Sequence, residues 1–98
     1  MAQFTGKVTK IYDEVSGEGP RGTWVRGCFM VSQLGEVERQ AAFVCFGEKR
    51  IGMVRNLRVG QTVVVEYYPE SRENGEHVYT DLHAYRVLHT VFSGSDKD

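Results

Sequence analysis

Apolar and polar residues alternate with a period of two along most of the chain. In "AQFTGKVTKIYDEV" (2–15), Phe4, Gly6, Val8 and Lys10 fall on one side, and Thr5, Lys7, Thr9 and Ile11 on the other. That pattern, with its β-branched content, predicts a half-buried strand. "SGEGPRG" (16–22) brings three glycines and a proline together and reads as the first loop. In "GTWVRGCFMV" (22–31), Val25, Gly27, Phe29 and Val31 suit a core, while Trp24, Arg26, Cys28 and Met30 share the opposite face. A turn is expected around Gly35, and "RQAAFVCF" (39–46) reads as a third strand.

The period changes only once. In "GEKRIGMVRNL" (47–57), Ile51, Val54 and Leu57 recur every third residue, which predicts one or two turns of helix, weakened by about 1 kcal/mol at Gly52. "VGQTVVVEYYPE" (59–70) resumes the alternation, with Val63, Val65 and Tyr67 against Thr62, Val64, Glu66 and Tyr68, and Pro69 is expected to stop it. Asn74-Gly75 in "ESRENGE" signals a hairpin. The last strand, "HVYTDLHAYRVLHTVF" (77–92), carries His77, Tyr79, Asp81, His83 and Tyr85 on a polar face, opposite Val78, Leu82 and Ala84 on a core face. The order strand, strand, strand, short helix, strand, strand predicts an all-β chain. Its form is a five-stranded Greek-key barrel of the oligonucleotide/oligosaccharide-binding (OB) type, with one short helix between the third and fourth strands. An SH3-like barrel and an open meander are the alternatives. The barrel would occupy 1–92, leaving 93–98 as a disordered tail.

Composition narrows the class. With 98 residues, 41% hydrophobic and 26% charged, the chain suits one modest globular domain rather than a disordered one. No apolar run approaches the ~18 residues of a membrane span and nothing at the start reads as a signal peptide, so a soluble, cytoplasmic protein is expected. The net charge of −1 argues against strong non-specific attraction to nucleic acid. The charge is split, however: residues 1–60 hold nine Lys/Arg against six Asp/Glu, and 61–98 hold three against seven. "KRIGMVRNLR" (49–58) is a local basic patch with no acid in it. Cys28 and Cys45, each in a strand-like segment, read as free thiols rather than a disulfide or zinc pair.

Most chemical motifs fail on context. Gly17, Gly19 and Gly22 satisfy the letters of G-x-G-x-x-G, but Pro20 interrupts them and a strand follows where a helix N-terminus is needed. His77, Asp81 and His83 share one face of the last strand, where alternate residues stand roughly 6.5–7 Å apart, a spacing that fits a polar solvent face better than a metal site. No serine or cysteine sits in a nucleophile context, so neither catalysis nor a cofactor is expected. What remains is an aromatic and basic set: Trp24, Arg26, Phe43, Phe46, Lys49, Arg50, Arg55, Arg72 and Tyr79. Phe43 and Phe46 have opposite strand parity, so at least one belongs to the core.

"FTGKV", "GTWVRGCFMV", "FVCFG", "VGQTVVVEYYPESRE" and "YTDLHAYRV", in that order across residues 3–88, resemble a family of small bacterial domains of unknown function, itself similar to the OB-fold single-stranded DNA-binding proteins. The resemblance implies an OB barrel with an oligonucleotide surface. Trp24 matches the second-strand position of a stacking aromatic, and Phe46 before Gly47 matches the end of the third strand. Arg72 lies in the fourth-to-fifth connection, which reads as short here, and no long acidic, glycine-rich tail follows it. The expected function is non-catalytic binding of single-stranded nucleic acid, DNA before RNA, with little sequence selectivity. Trp24 and Phe46 would stack bases, with Tyr79 beside them, and Arg26, Lys49, Arg50, Arg55 and Arg72 would meet phosphates. Unpaired edges and outward Met30 and Val64 add the expectation of a homodimer or higher oligomer. The rival is a protein-interaction or assembly module with no nucleic-acid ligand, its Trp24 buried at a subunit contact.

Overall fold

Strands that are apolar on one side can hide that side only by pairing into a sheet that folds over on itself. In the computed structural model, which describes residues 2–33, 35 and 38–89, six strands and one helix do this. They are β1 (Ala2–Ile11), β2 (Val15–Gly19), β3 (Gly22–Gln33), β4 (Arg39–Phe46), α1 (Glu48–Arg55), β5 (Thr62–Asn74) and β6 (His77–His89). The sheet order is β1-β5-β6-β4-β3-β2, and β1 also pairs with β3, so the sheet closes on itself. All neighbours are antiparallel except β4 and β6, a short parallel seam at Phe43–Leu82 and Val44–His83. The five expected strands are β1, β3, β4, β5 and β6, and the helix lies where the spacing placed it. Among the described residues no helix is long and apolar enough to cross a membrane. The expected tail at 93–98, and residues 90–92 of the last expected strand, lie outside the described residues.

Four local expectations are corrected. The glycine-rich 16–22 segment is no loop: β2 pairs with β3 from Val15–Arg26 to Gly19–Gly22, with Pro20 and Arg21 at the turn. Pro69 does not stop β5, which pairs through it (Pro69–Leu82) to Asn74. The β1 ladder reaches only the Ala2–Tyr67 pair, so among the described residues nothing pairs with Pro69 on that side, where a missing N–H is tolerated. The β5–β6 connection is therefore a long ribbon with a two-residue turn at Gly75 and Glu76, not a short link. Val78, assigned to the core face, lies on that ribbon and is 64% exposed.

Two bulges reset the alternation. Val8 pairs with Val31 and Lys10 with Met30, leaving Thr9 as an extra residue, so Ile11 turns inward against the core instead of following Thr5 and Lys7 outward. On β6, Glu66 pairs with Arg86 and Tyr67 with Ala84, so Tyr85 is the extra residue and leaves the face of His83. Val87 then packs against the core beyond it.

The core gathers around Phe43, whose ring centroid lies 5.6 Å from Phe29, 5.2 Å from Tyr67 and 5.7 Å from Phe4. Val8, Val31, Val63, Val65, Cys45 and Ala84 complete the wall. Each large buried side chain stabilises the fold by roughly 1.5–3 kcal/mol. Helix α1 contributes Ile51 and Val54, and Leu57 just beyond its end is also buried. Ile51 reaches over Gly27, where an added Cβ would stand 2.5 Å from its Cδ1 and 3.2 Å from a Val54 methyl. Gly27 lets the helix seat against β3. Gly27→Ala is expected to destabilise by about 1–3 kcal/mol through overpacking. A thermal melt should show this as a fall of about 4–8 °C per kcal/mol.

Candidate nucleic-acid interface

The outward positions of β3, β4, β6 and β5 form one continuous face. Arg26 and Phe46 are direct cross-strand partners, with the guanidinium carbon 5.9 Å from the ring centroid. Phe46 lies 5.7 Å from the His83 ring across the β4–β6 seam. His83 in turn stacks on Tyr68, its β5 partner, at 5.2 Å and an interplanar angle of 9°. Four side chains from four strands thus make an unbroken row: Arg26, Phe46, His83, Tyr68.

Trp24 extends the row along β3, two residues from Arg26. Its pairing partner is Gly17, where an added Cβ would stand 2.6 Å from the indole Cζ2. The indole lies over the bare backbone of β2 and is still 41% exposed, matching Phe46 at 40%. This contact also explains why a glycine-rich segment becomes a strand. Any side chain at Gly17 would collide with the tryptophan that covers it.

At the other end the face continues out along the ribbon. His83 Nε2 lies 3.2 Å from a Glu70 oxygen. Arg72 faces Tyr79, its guanidinium 5.8 Å from the ring, and makes an ion pair of 3.3 Å with Asp81. The face is therefore mixed in charge, with Arg26 and Arg72 against Glu70 and Asp81. Cys28 sits on it between these groups, and burial pushes its thiol up despite the nearby Arg26. Cys45 is pushed up to about 11 by burial in the core. Both cysteines are free, as expected from their spacing.

Of the eight expected site residues, the structure brings Trp24, Arg26 and Phe46 together and sets Arg72 and Tyr79 at the ribbon end of the same face. Lys49 and Arg50 lie apart, on the first turn of α1, with Arg50 over the ring of Tyr85 at 5.2 Å. Arg55 is engaged elsewhere, donating two hydrogen bonds to Glu14 at 2.7 and 2.9 Å. Tyr68 and His83 were not among the expected contacts. Their meeting follows from the hairpin: counting back from Asn74 and forward from His77 lands on them together. The three candidate metal ligands do not converge. His77 neighbours Tyr79, Asp81 pairs with Arg72 and His83 faces Glu70. Among the described residues no group of three metal-ligating side chains forms.

Two outcomes follow. Gly17→Ala should displace the indole from β2 and shift the Trp24 emission to the red, with little change in far-ultraviolet circular dichroism. The second concerns acid. The hydrogen bonds from Arg55 hold the Glu14 carboxyl below the usual range, and those from Arg86 do the same for Glu66. A carboxylate lowered in the folded state stabilises above its unfolded value of roughly 4.3 and stops doing so as pH falls through the lower folded value. Melting temperature should therefore drop between neutral pH and about pH 3, and Glu14→Gln with Glu66→Gln should make that drop smaller.

No family model matches the chain, and no curated protein does. Solved structures do match. The chain is similar to a small single-stranded DNA-binding protein from Streptomyces coelicolor, at 18% identity over 95% of this chain and 94% of that one, with a TM-score of 0.60. It is similar to the SSB domain of a protein from Synechococcus sp., at 19% identity over 91% and 96%, with a TM-score of 0.59. A mitochondrial single-stranded DNA-binding protein from S. cerevisiae matches at 12% identity over 90% and 94%, with a TM-score of 0.62. At these identities the likeness is one of architecture: the chain has the OB fold that its element order predicts, and shares it with single-stranded DNA-binding proteins.

Proposed function

We propose that the chain binds single-stranded nucleic acid, DNA in the first place, without catalysis and with little sequence selectivity. The observation that carries this reading is the row Arg26–Phe46–His83–Tyr68 beside an exposed Trp24. Flat, exposed rings in a line are what a strand of unpaired bases stacks on, and every base offers the π-face such stacking uses. Trp24 and Phe46 take bases, and His83 and Tyr68 brace Phe46 from across the seam. Arg26 and Arg72 meet phosphates, with Tyr79 extending the surface along the ribbon. Arg55 is left out of the reading, because its guanidinium donates two hydrogen bonds to Glu14, whereas Arg72 has a single ion-pair contact with Asp81, at 3.3 Å, that a phosphate would replace. The shared fold with single-stranded DNA-binding proteins supports the reading without carrying it.

A second reading has one specific observation in its favour. Among the described residues, the outer edges of the ribbon are unpaired beyond Tyr67 and Leu82, and Val78 is exposed on it. Open edges of this kind template pairing with another chain. The ribbon is where a homodimer or higher oligomer would form, alongside or instead of strand binding.

Trp24 is the sole tryptophan, so its fluorescence reports on the face directly. Titration with oligo-dT should quench it, and Phe46→Ala should weaken binding about tenfold or more, in line with ~1–3 kcal/mol per stacked base. With two arginines meeting phosphates, log K should fall with log salt at a slope of about −1 to −2. Absence of quenching at high micromolar strand would sink the reading. A mass rising with concentration in light scattering, with no quenching of Trp24 by oligo-dT, would favour assembly at the ribbon instead.

A further inference from the structure

Away from the aromatic row, a cavity of about 330 Å³ opens between the helix and the last strand, lined by Lys49, Arg50, Met53, Tyr85 and Arg86. The bulge on β6 builds it, because the extra residue turns Tyr85 off the face of His83 and toward α1. The charged groups around it are not equivalent. Arg86 is held by Glu66 at 2.9 Å. Among the described residues neither Lys49 nor Arg50 has a carboxylate partner. Both stand in the first turn of α1, whose N-cap Gly47 supplies no side-chain cap. A helix N-terminus is already positive, so two cations without carboxylate partners add to the local field there, against the one first-turn acid, Glu48, which also lies 3.9 Å from Arg55. The remaining lining is a Tyr85 ring, 45% exposed, and the Met53 thioether.

These features specify one kind of occupant. Two cations without carboxylate partners at a helix start call for a phosphate, toward which Arg50 would move from its place over the Tyr85 ring, 5.2 Å from the centroid. An exposed ring and a polarisable apolar wall call for a flat, unsaturated ring. The volume is at the small end of ligand cavities, roughly 300–1,000 Å³, and so suits a single unit. We propose that this cavity is a mononucleotide site, in which Lys49 and Arg50 hold the phosphate and Tyr85 and Met53 flank the base. The occupant is either a free nucleotide or one unit of a strand. The site does not depend on the strand reading, because no residue of the row lines it.

The test is an amide chemical-shift titration of the isotope-labelled chain with thymidine monophosphate, and separately with inorganic phosphate. The monophosphate should shift residues 49–53 and 85–86 and saturate in the millimolar range. Lys49→Gln with Arg50→Gln should weaken it about tenfold, the loss expected for charge-assisted hydrogen bonds, and the spectrum itself reports whether the variant folds. Tyr85→Leu should weaken the nucleotide but not inorganic phosphate. Shifts confined to the row, no shifts at all, or inorganic phosphate binding as tightly as the nucleotide would each overturn the proposal. A thymidine tetranucleotide that shifts both the row and the cavity identifies the occupant as part of a strand, and one that shifts the row alone assigns the cavity to free nucleotides. If the tetranucleotide shifts nothing while the monophosphate still binds, the strand reading falls and the cavity stands.

Discussion

An antiparallel hairpin has its register fixed at the turn, so a two-residue connection decides which side chains meet far away from it. Here Gly75, with φ of 66°, makes that connection, and the ladder it sets runs from Asn74–His77 down to Val63–His89. The ladder puts Tyr68 opposite His83, which is half of the aromatic row. It also lines up Val65 with Val87 and places Ala84 beside Tyr67 in the core. Strict alternation could not serve both ends, since an unbroken period of two from Ala84 would send Val87 outward. The extra residue Tyr85 corrects the phase, and in doing so supplies the ring of the helix-side cavity. Core, row and cavity are three results of one register.

The sequence made much of this readable, for physical reasons that can be located. Alternation in 22–31 and 62–68 identified inward and outward faces correctly, because buried and solvated sides differ sharply in composition there. Ile51, Val54 and Leu57 gave the helix through their spacing. What stayed hidden depended on partners distant in the chain. Gly17 lacks any strand preference of its own, and its pairing leaves room for the Trp24 indole where any side chain would collide. Pro69 is compatible with β5 only because β1 ends two residues earlier in the ladder. The two bulges leave no compositional mark, and so the placements of Ile11 and Tyr85 were missed. The basic residues of 49–58 were grouped by proximity in sequence, but helical geometry sends Lys49 and Arg50 one way and Arg55 toward Glu14.

The candidate face is also unusual in its charge. A groove that held strands chiefly by electrostatics would be lined with unpaired lysines and arginines, and a net charge of −1 offers little reserve for that. Arg72 is already paired with Asp81, and Glu70 stands beside His83. In the proposed reading ring contacts would therefore dominate, with phosphate contacts in support. Such a surface responds less to ionic strength than a basic groove does, and more to the loss of a single ring.

The parallel seam between β4 and β6 has a consequence for how the closed sheet is held together. Every other neighbouring pair of strands is joined by a longer antiparallel ladder, whereas this junction rests on Phe43–Leu82 and Val44–His83. Among the described residues it is the junction with the fewest paired residues. Phe46 and His83 stand on opposite banks of that junction, their rings 5.7 Å apart. A molecule laid across both rings would act as a clasp, coupling occupancy of the outer face to the integrity of the wall beneath it.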